Sequence, residues 1–391
     1  MLDYQTAKYH VGLNAALLSA SNKGTYRQAG IHSYIDGVLS KLHDKDSRFD
    51  YSVFVNLREN DSIYDLDAIR VPKSIESNPI SRIIWEQSLL ALSSIQHSFD
   101  LLHGMAFVTP LFGLIPSIVT VYDLSFLKYP EYLQAGNRAY LSLFTKLSCI
   151  KARRIIAISN NTKNDLVDLF GINKDKIDVI YPGISANMKR ADSKQVSHFR
   201  KEKGLPDKFI LYLGTIEPRK NLSVLIQAYN KVKHHGVKLV CVGGKGWLYE
   251  DVFSIVDDLQ LGRDVIFPGF IPKEELALWY SACSLFVYPS VYEGFGMPVL
   301  EALACGAIVV TSNSSSLPEV VGDAAFLITP SNVDQLASTM DDILCGKHNC
   351  SELSLNAVKQ SCKFNWDTSS KLTVDTYARA LGLIRNNYEN N

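Results

Sequence analysis

Tyr292-Glu293-Gly294-Phe295-Gly296-Met297-Pro298-Val299-Leu300-Glu301 follows an apolar run, Leu285-Phe286-Val287-Tyr288, that reads as a strand. Pro298 suits the first turn of a helix, where its missing N–H costs nothing. Gly294 and Gly296 keep the preceding loop bare, so backbone N–H groups there can approach a ligand closely. A helix start with open donors is a ready anion site. Glu293 then stands at the mouth of the loop and Glu301 one turn into the helix, where a carboxylate can chelate the two hydroxyls of a ribose. Taken alone, Glu301 would merely complement a helix dipole and the glycines would make an ordinary turn. Taken together, these features describe a site for a nucleotide whose phosphates carry something reactive.

The remaining sequence supplies the frame for such a site. Its 391 residues suggest two or three domains. With 47% hydrophobic and 20% charged residues the chain can bury a sizeable core, which argues against disorder. Forty basic and forty acidic residues balance, which argues against a general nucleic-acid-binding or strongly membrane-seeking surface. Seven scattered cysteines with no C-x-x-C fit a reducing, cytoplasmic setting. The early apolar run Val11–Leu18 is short and interrupted, so it reads as a first strand rather than a secretory signal. Nothing reaches the length needed to span a bilayer.

Strand-like and helical runs alternate, as in an α/β chain. After the first strand, Ile31, Tyr34, Ile35, Val38, Leu39 and Leu42 share a helical face. Tyr51–Val55, Ser117–Val121, Ile155–Ile158 and Ile177–Tyr181 read as strands, with a helix marked by Tyr140, Leu143, Phe144 and Leu147. The polar stretch Ser185–Asp207 is expected to hold a hinge and one helix. Phe209–Leu213 opens a second α/β unit, continued by strands at Lys238–Val242, Val265–Phe267, Leu285–Tyr288, Ile308–Thr311 and Phe326–Ile328.

The spacing E-G-F-G-x-P-x-x-E resembles the signature of retaining, nucleotide-sugar-dependent glycosyltransferases of family 4 (glycosyl transferases group 1), which have the GT-B fold. The likeness extends upstream through Val265–Pro272 and downstream through Ala302–Gly306 to Ser315–Ala324. It implies an α/β chain of two Rossmann-like parallel-sheet domains facing across a cleft. Residues 1–183 would bind the acceptor and 184–365 the nucleotide sugar, with a last helix, about 366–385, crossing back to the first domain.

Gly214-Thr215-Ile216-Glu217-Pro218-Arg219-Lys220-Asn221 follows a strand and precedes a helix, which is where α/β folds bind ligands. Cations at a helix start oppose its dipole, so Arg219 and Lys220 need another reason to be there, and a diphosphate supplies one. In the family the matching Arg and Lys bind the donor diphosphate and stabilise the departing nucleotide. Gly214 itself, and Gly244 in Gly243-Gly244-Lys245-Gly246-Trp247, would let backbone pass close to the ligand, while Trp247 either packs or contacts it. The resemblance also implies that the amides of Gly294, Phe295, Gly296 and Met297 face the phosphates. It makes Phe270-Ile271 the segment whose backbone meets the base. The loop Gly24–Gly30 resembles the family's flexible loop beside the donor phosphates and the acceptor, with Gly30 at its end.

Asp100-Leu101-Leu102-His103 and Thr120-Val121-Tyr122-Asp123-Leu124-Ser125 stand at predicted strand ends. Many relatives have His-Asp where this chain has Tyr122-Asp123, and that histidine is assigned to the transferred sugar. Either Tyr122 substitutes as a hydrogen-bond donor or His103 reaches the site. Asp123 is a catalytic candidate or a turn cap.

The implied reaction moves a hexosyl group to a hydroxyl of a glycan, a lipid-linked acceptor or a small molecule, with retention and with neither cofactor nor metal. Closure of the two domains would exclude water. Trp85-Glu86-Gln87 and Gly246-Trp247-Leu248-Tyr249 are similar to relatives that often transfer mannose, which favours GDP-mannose. A nucleotide-sugar epimerase of the same fold is the first rival, and a catalytically inactive sugar-nucleotide-binding partner is the second. A dehydrogenase is weaker, because no G-x-G-x-x-G follows either first strand. Asp65-Leu66-Asp67 matches a metal-binding D-x-D by chance, in a polar connection, and neither zinc spacing nor a P-loop is present. No nucleic-acid partner is expected. Lys151-Ala152-Arg153-Arg154 would either touch anionic lipid, as peripheral contact at the inner face of a membrane, or form a solvated helix end. Oligomeric state is not legible.

Overall fold

The computed structural model describes residues 8–19, 30–56, 64, 66–72, 79–132, 135–246 and 249–384. Two compact units divide the chain. The first runs to Gly183 and takes in the chain from Asn365 onward, and the second is Ile184–Phe364.

The first unit is built on β1 (Tyr9–Ser19), β2 (Phe49–Asn56), β3 (Asp67–Arg70), β4 (Leu101–Gly104), β5 (Ser117–Val121), β6 (Arg154–Ala157) and β7 (Ile177–Val179). They form one sheet in the order β3-β2-β1-β4-β5-β6-β7, every pair parallel. Parallel strands are covered on both faces and so read as continuous apolar runs. β5 and β6 are buried along their whole length. β3 departs from that pattern: it is four residues long, mostly exposed, and forms the sheet edge. Asp67 is therefore a strand residue, taking a 2.9 Å hydrogen bond from Ser52 Oγ, and not part of a loop. Asp65 lies outside the described residues.

The helix Trp366–Ala380 belongs to this first unit. Two glycines make room for it. A Cβ on Gly37 would lie 2.3 Å from the Trp366 indole, and one on Gly183 would lie 2.3 Å from the Trp366 backbone nitrogen. Asn365 caps the helix by accepting from Thr368 N–H, the usual role of a short polar side chain at that position. Ser369 Oγ donates to the Tyr181 carbonyl and Ser370 Oγ to that of Val38. Beneath it, Arg154 on β6 makes two 2.7 Å hydrogen bonds to Asp178 on β7. Asp178 also accepts from Thr376 Oγ1 at 3.1 Å and lies 3.2 Å from an Arg379 nitrogen.

These contacts correct the reading of the basic run 151–154. Arg154 is buried against Asp178, Lys151 Nζ donates to the Pro110 carbonyl and Arg153 to that of Ala380. The run ties elements together and is not a merely solvated helix end.

The second unit comprises β8 (Phe209–Leu213), β9 (Lys238–Val242), β10 (Val265–Gly269), β11 (Leu285–Tyr288), β12 (Val309–Ser312) and β13 (Phe326–Ile328), in the order β10-β9-β8-β11-β12-β13. The chain winds outward from β8 to β10, then returns to pair β11 with β8 in parallel. That reversal creates a crevice outside the carboxyl ends of β8 and β11, the place where doubly wound sheets bind ligands. The second unit also includes, ahead of β8, a helix of residues 193–203 that starts with a capping box made by Asp192 and Gln195.

Candidate active site

Two loops meet at the β8–β11 crevice. The β8 loop is anchored first to its neighbour after β9. Gly214 N–H donates to Val242 O, Ile216 N–H to Gly244 O, and Gly246 N–H to Ile216 O, at 2.9–3.1 Å. Gly243 must be glycine here: its φ is +147°, and a Cβ would fall 1.9 Å from the Gly214 carbonyl oxygen. Pro218–Lys220 then form a single 3-10 turn, and Asn221 in the left-handed region (φ +60°) starts the helix Leu222–Val232. The Asn221 amide reaches across to the carbonyls of Pro289 and Pro330 at 3.0 and 2.6 Å. The Arg219 carbonyl in turn accepts from Val291 N–H and Ser290 Oγ. The β8 and β11 loops are therefore locked together by backbone and amide bonds before any ionic contact is considered.

Glu293 lies at the centre of the ionic contacts. Its Oε1 accepts from Lys220 Nζ at 2.7 Å, Ser290 Oγ at 2.7 Å and Tyr288 OH at 2.9 Å, while Oε2 accepts from Arg219 at 3.2 Å. Arg219 also bonds Glu217 Oε1 at 2.8 Å and the Tyr292 carbonyl at 2.6 Å, and Lys220 bonds Tyr288 OH at 2.8 Å. Burial alone would raise the Glu293 pKa, but the charges of Lys220 and Arg219 overcome it and hold the carboxyl at about 2. Two cations and two carboxylates thus form a nearly dry, neutral quartet. Both cations of the β8 loop thus have carboxylate partners at the crevice.

Beyond Glu293 the chain enters the helix Met297–Ala304. Gly296 sits at φ +106°, where a Cβ would strike Leu317, and no side chain caps the helix start. Pro298 occupies the first turn as its chemistry requires. Phe295 is buried, with its ring turned against Phe364. Glu301 lies one turn in, partly exposed, with Oε2 accepting from Tyr280 OH at 3.0 Å. Desolvation raises this carboxyl to about 7, against the smaller lowering effects of Tyr280 and Lys273. One loop and one helix therefore carry two carboxylates with opposite pKa shifts.

The other predicted residues have surroundings of their own. His103 is 1% exposed, bonded through Nδ1 to Tyr377 OH and through Nε2 to Thr120 Oγ1, both at 2.8 Å. Burial pushes it down to about 3, so it is a neutral core imidazole with both nitrogens used. Tyr122 is also buried, and its hydroxyl donates to the Met105 carbonyl at 2.7 Å, so it is not a substitute donor. Asp123 accepts from Ser125 N–H at 2.8 Å, the turn-capping alternative. Gly30 is exposed at φ +71° at the start of the helix Ile31–Leu39, while Gly24 and Ala29 lie outside the described residues, as does Trp247. Phe270, half exposed, and Ile271 follow edge strand β10. Gly244 has open space around its Cβ position.

Four residues escaped the sequence reading: Glu217, Tyr280, Tyr288 and Ser290. Glu217 was visible beside Arg219, and Tyr288 closes its strand two residues before Ser290, but only the fold turns Tyr288 and Ser290 onto Glu293, Arg219 onto Glu217 and Tyr280 onto Glu301. Among the described residues, one cluster has metal-ligand spacing, His234, His235 and Asp341. It lies at the opposite end of the helix Leu222–Val232 from Lys220.

Two doubly wound parallel-sheet units in tandem, the second with a charged crevice at its switch point, define an enzyme of the GT-B class. Residues 193–360 match the family Glycosyl transferases group 1, and residues 30–187 match Glycosyltransferase Family 4. The chain belongs to glycosyltransferase family 4. It is 30% identical over 279 residues to the O-antigen chain mannosyltransferase B of Escherichia coli, covering 70% of this chain and 73% of that protein. Its fold is similar to that of a sucrose-phosphate synthase from Thermosynechococcus elongatus, with a TM-score of 0.76 at 20% identity over 96% of this chain and 100% of the other. It is similar also to Anabaena HepE in complex with UDP-glucose, with a TM-score of 0.71 at 18% identity over 95% and 99%. No described helix is long and apolar enough to cross a membrane.

Proposed function

We propose that this glycosyltransferase moves a hexosyl group, mannosyl by preference, from a nucleoside diphosphate sugar to a hydroxyl of a glycan, glycolipid or small-molecule acceptor, with retention at the anomeric carbon. The observation that carries the reading is the meeting of Lys220, Arg219 and Glu293 in the β8–β11 crevice, with Glu301 one turn along the adjoining helix. Negative charge builds on the departing diphosphate, and preorganised cations at a helix start answer it. The reading assigns that role to Lys220 and Arg219 and asks for no metal. Glu293 would exchange its cation contacts for the donor sugar's hydroxyls, and Glu301 would take the ribose. Mannose is favoured by the E. coli relative's name, and GDP is the matching carrier. No side chain of the quartet is proposed as a nucleophile. Tyr122, the one departure that favoured an inactive partner, is a core residue here, which removes the reason for that reading.

Thermal shifts with GDP, UDP, ADP and their sugar conjugates, in EDTA, test the donor site. A ligand at about a hundred times its Kd adds roughly 2.7 kcal/mol, enough to move a midpoint by several degrees. One base is expected to stabilise the wild type but neither Lys220→Ala nor Glu301→Ala. If no nucleotide moves the midpoint in EDTA, the site is misassigned.

Glu301 makes the affinity pH-dependent. A carboxyl whose folded pKa lies above its unfolded value binds more protons when folded. Its contribution to stability in the unliganded enzyme is therefore full below about 4.5 and lost as pH rises through about 7. Chelation of a diol needs the ionised form, so affinity runs the other way. Binding of a nucleotide sugar, whose diphosphate does not titrate in this range, should be about tenfold tighter at pH 8 than at pH 6, following the ionised fraction. Calorimetric titration at both values, with Glu301→Gln as the flat control, measures it. Equal wild-type affinities at the two values would remove Glu301 from the ribose.

A further inference from the structure

The helix Leu222–Val232 runs on into a single 3-10 turn, Lys233–His235, which Gly236 closes at φ +69°. Consecutive side chains on a helical turn normally point apart. Here the rings of His234 and His235 lie 4.2 Å apart at 36°, and both turn toward one neighbour. That neighbour is the helix Val333–Leu344, which Asn332 caps and which carries Asp341 in its last turn. Lys231 and Asp334 pair across the same two helices.

Three donor atoms converge at this point. His235 Nε2 lies 2.7 Å from Asp341 Oδ1 and His234 Nε2 3.6 Å from the same oxygen. The three residues bring one ligand atom each to within 4.8 Å of the others. His234 is oriented from behind. Its Nδ1 lies 3.1 Å from the Lys231 carbonyl, which can only accept, so Nδ1 carries the hydrogen. The Nε2 of the neutral ring then presents a lone pair to a carboxylate oxygen that presents another. Two acceptors facing one another call for a cation between them. A proton would serve one ring only, whereas a metal ion serves all three donors at once. A backbone carbonyl behind the ring is also the usual outer partner of a metal-bound imidazole.

The donor set decides the class of ion. Two imidazoles and a carboxylate suit zinc and its neighbours, whereas magnesium and calcium take oxygen ligands. Donors around a tetrahedral zinc stand about 3.3 Å apart, given bonds of about 2.0–2.2 Å. His234 and Asp341 are already near that separation, and His235 has only to draw back by about half an ångström. His234 is exposed and the other two are half-buried, so water can fill the fourth position. Both helices end here, and the dipole at a helix C-terminus favours a cation.

We propose that His234, His235 and Asp341 bind a divalent ion of the zinc class that clamps the C-terminal ends of these two helices together. The helix Leu222–Val232, 11 residues and so about 16 Å long, separates this site from Lys220, and the ion is structural rather than part of the transfer chemistry. Calorimetric titration of the full-length, tag-free protein with zinc chloride, after EDTA treatment and desalting, tests it. No nucleotide is present, so the outcome is independent of the donor-site reading. The wild type is expected to bind one equivalent of zinc and no magnesium, with a raised thermal midpoint. His234→Ala and Asp341→Asn should each weaken zinc more than about a hundredfold, beyond the loss usual for an outer partner of a ligand. Cobalt in the wild type should show the visible absorption of a four-coordinate ion, a readout that depends on no variant. Cys345 Sγ lies 3.9 Å from Asp341 Oδ2, and Cys350 and Cys362 are exposed as well. The triple variant Cys345→Ser/Cys350→Ser/Cys362→Ser should therefore keep the bound equivalent. Absence of zinc binding, binding that survives His234→Ala and Asp341→Asn, a six-coordinate cobalt spectrum, or binding lost with the three thiols would overturn the proposal.

Discussion

Lys220→Ala will release nucleoside diphosphate from the donor about 10²–10³-fold more slowly than the wild type, the loss typical of removing one preorganised group from a developing anion. The fold should survive the change. Glu293 keeps Arg219 at 3.2 Å and the hydroxyls of Ser290 and Tyr288, so its charge remains compensated. Glu293→Ala is the less informative variant, because it would leave Lys220 as a buried cation without its carboxylate. Initial rates of diphosphate release, paired with a melting curve, separate lost chemistry from lost structure. A rate within a few-fold of wild type would remove Lys220 from the leaving-group side. The quartet also predicts an acid limit. Glu293 is held below its unfolded pKa, so its contribution is full above about 4.5 and is lost as pH falls toward about 2.

Asp178→Ala should destabilise the first unit by about 3–5 kcal/mol, because it strands Arg154 in the core. The two side chains are 6% and 9% exposed, and Asp178 also serves Thr376 and Arg379. For a unit of this size that corresponds to a midpoint lower by roughly 10 °C. Calorimetry should show the drop in only one of the transitions if the units melt separately. Arg154→Met in the same chain should recover part of the loss, since it removes the uncompensated charge. A midpoint shifted by less than about 2 °C would mean that solvent reaches Arg154 readily.

Strands were legible where burial on both faces made them apolar throughout. β5, β8, β9, β11 and β13 have the predicted limits, and β1, β2, β6, β7, β10 and β12 differ by one or two residues at an end. β3 was not legible, because a short edge strand such as Asp67–Arg70 has no buried face to impose a pattern. The loops at β8 and β11 were legible because glycines, a proline and charges in fixed order have few other uses. Partners were not. That Glu293 collects Lys220, Arg219, Ser290 and Tyr288 depends on two strands far apart in sequence lying side by side. His103 shows the converse. A histidine near a strand end looks available until the final helix brings Tyr377 onto it. Nothing local distinguishes a glycine that makes a turn from Gly37 or Gly183, whose small size is set by an indole arriving from residue 366.

The return of that last helix sets an order on biosynthesis. Domains generally fold as units while the chain is being made. Ile184–Phe364 is one uninterrupted stretch and can close on itself as soon as it has emerged. The earlier strands cannot. Until residues 366–380 follow, Tyr34 and Gly37 face no Trp366, His103 lacks Tyr377, and Asp178 has only Arg154 of its three partners. The half of the protein translated first is thus the half completed last, with part of its core open throughout synthesis of the other.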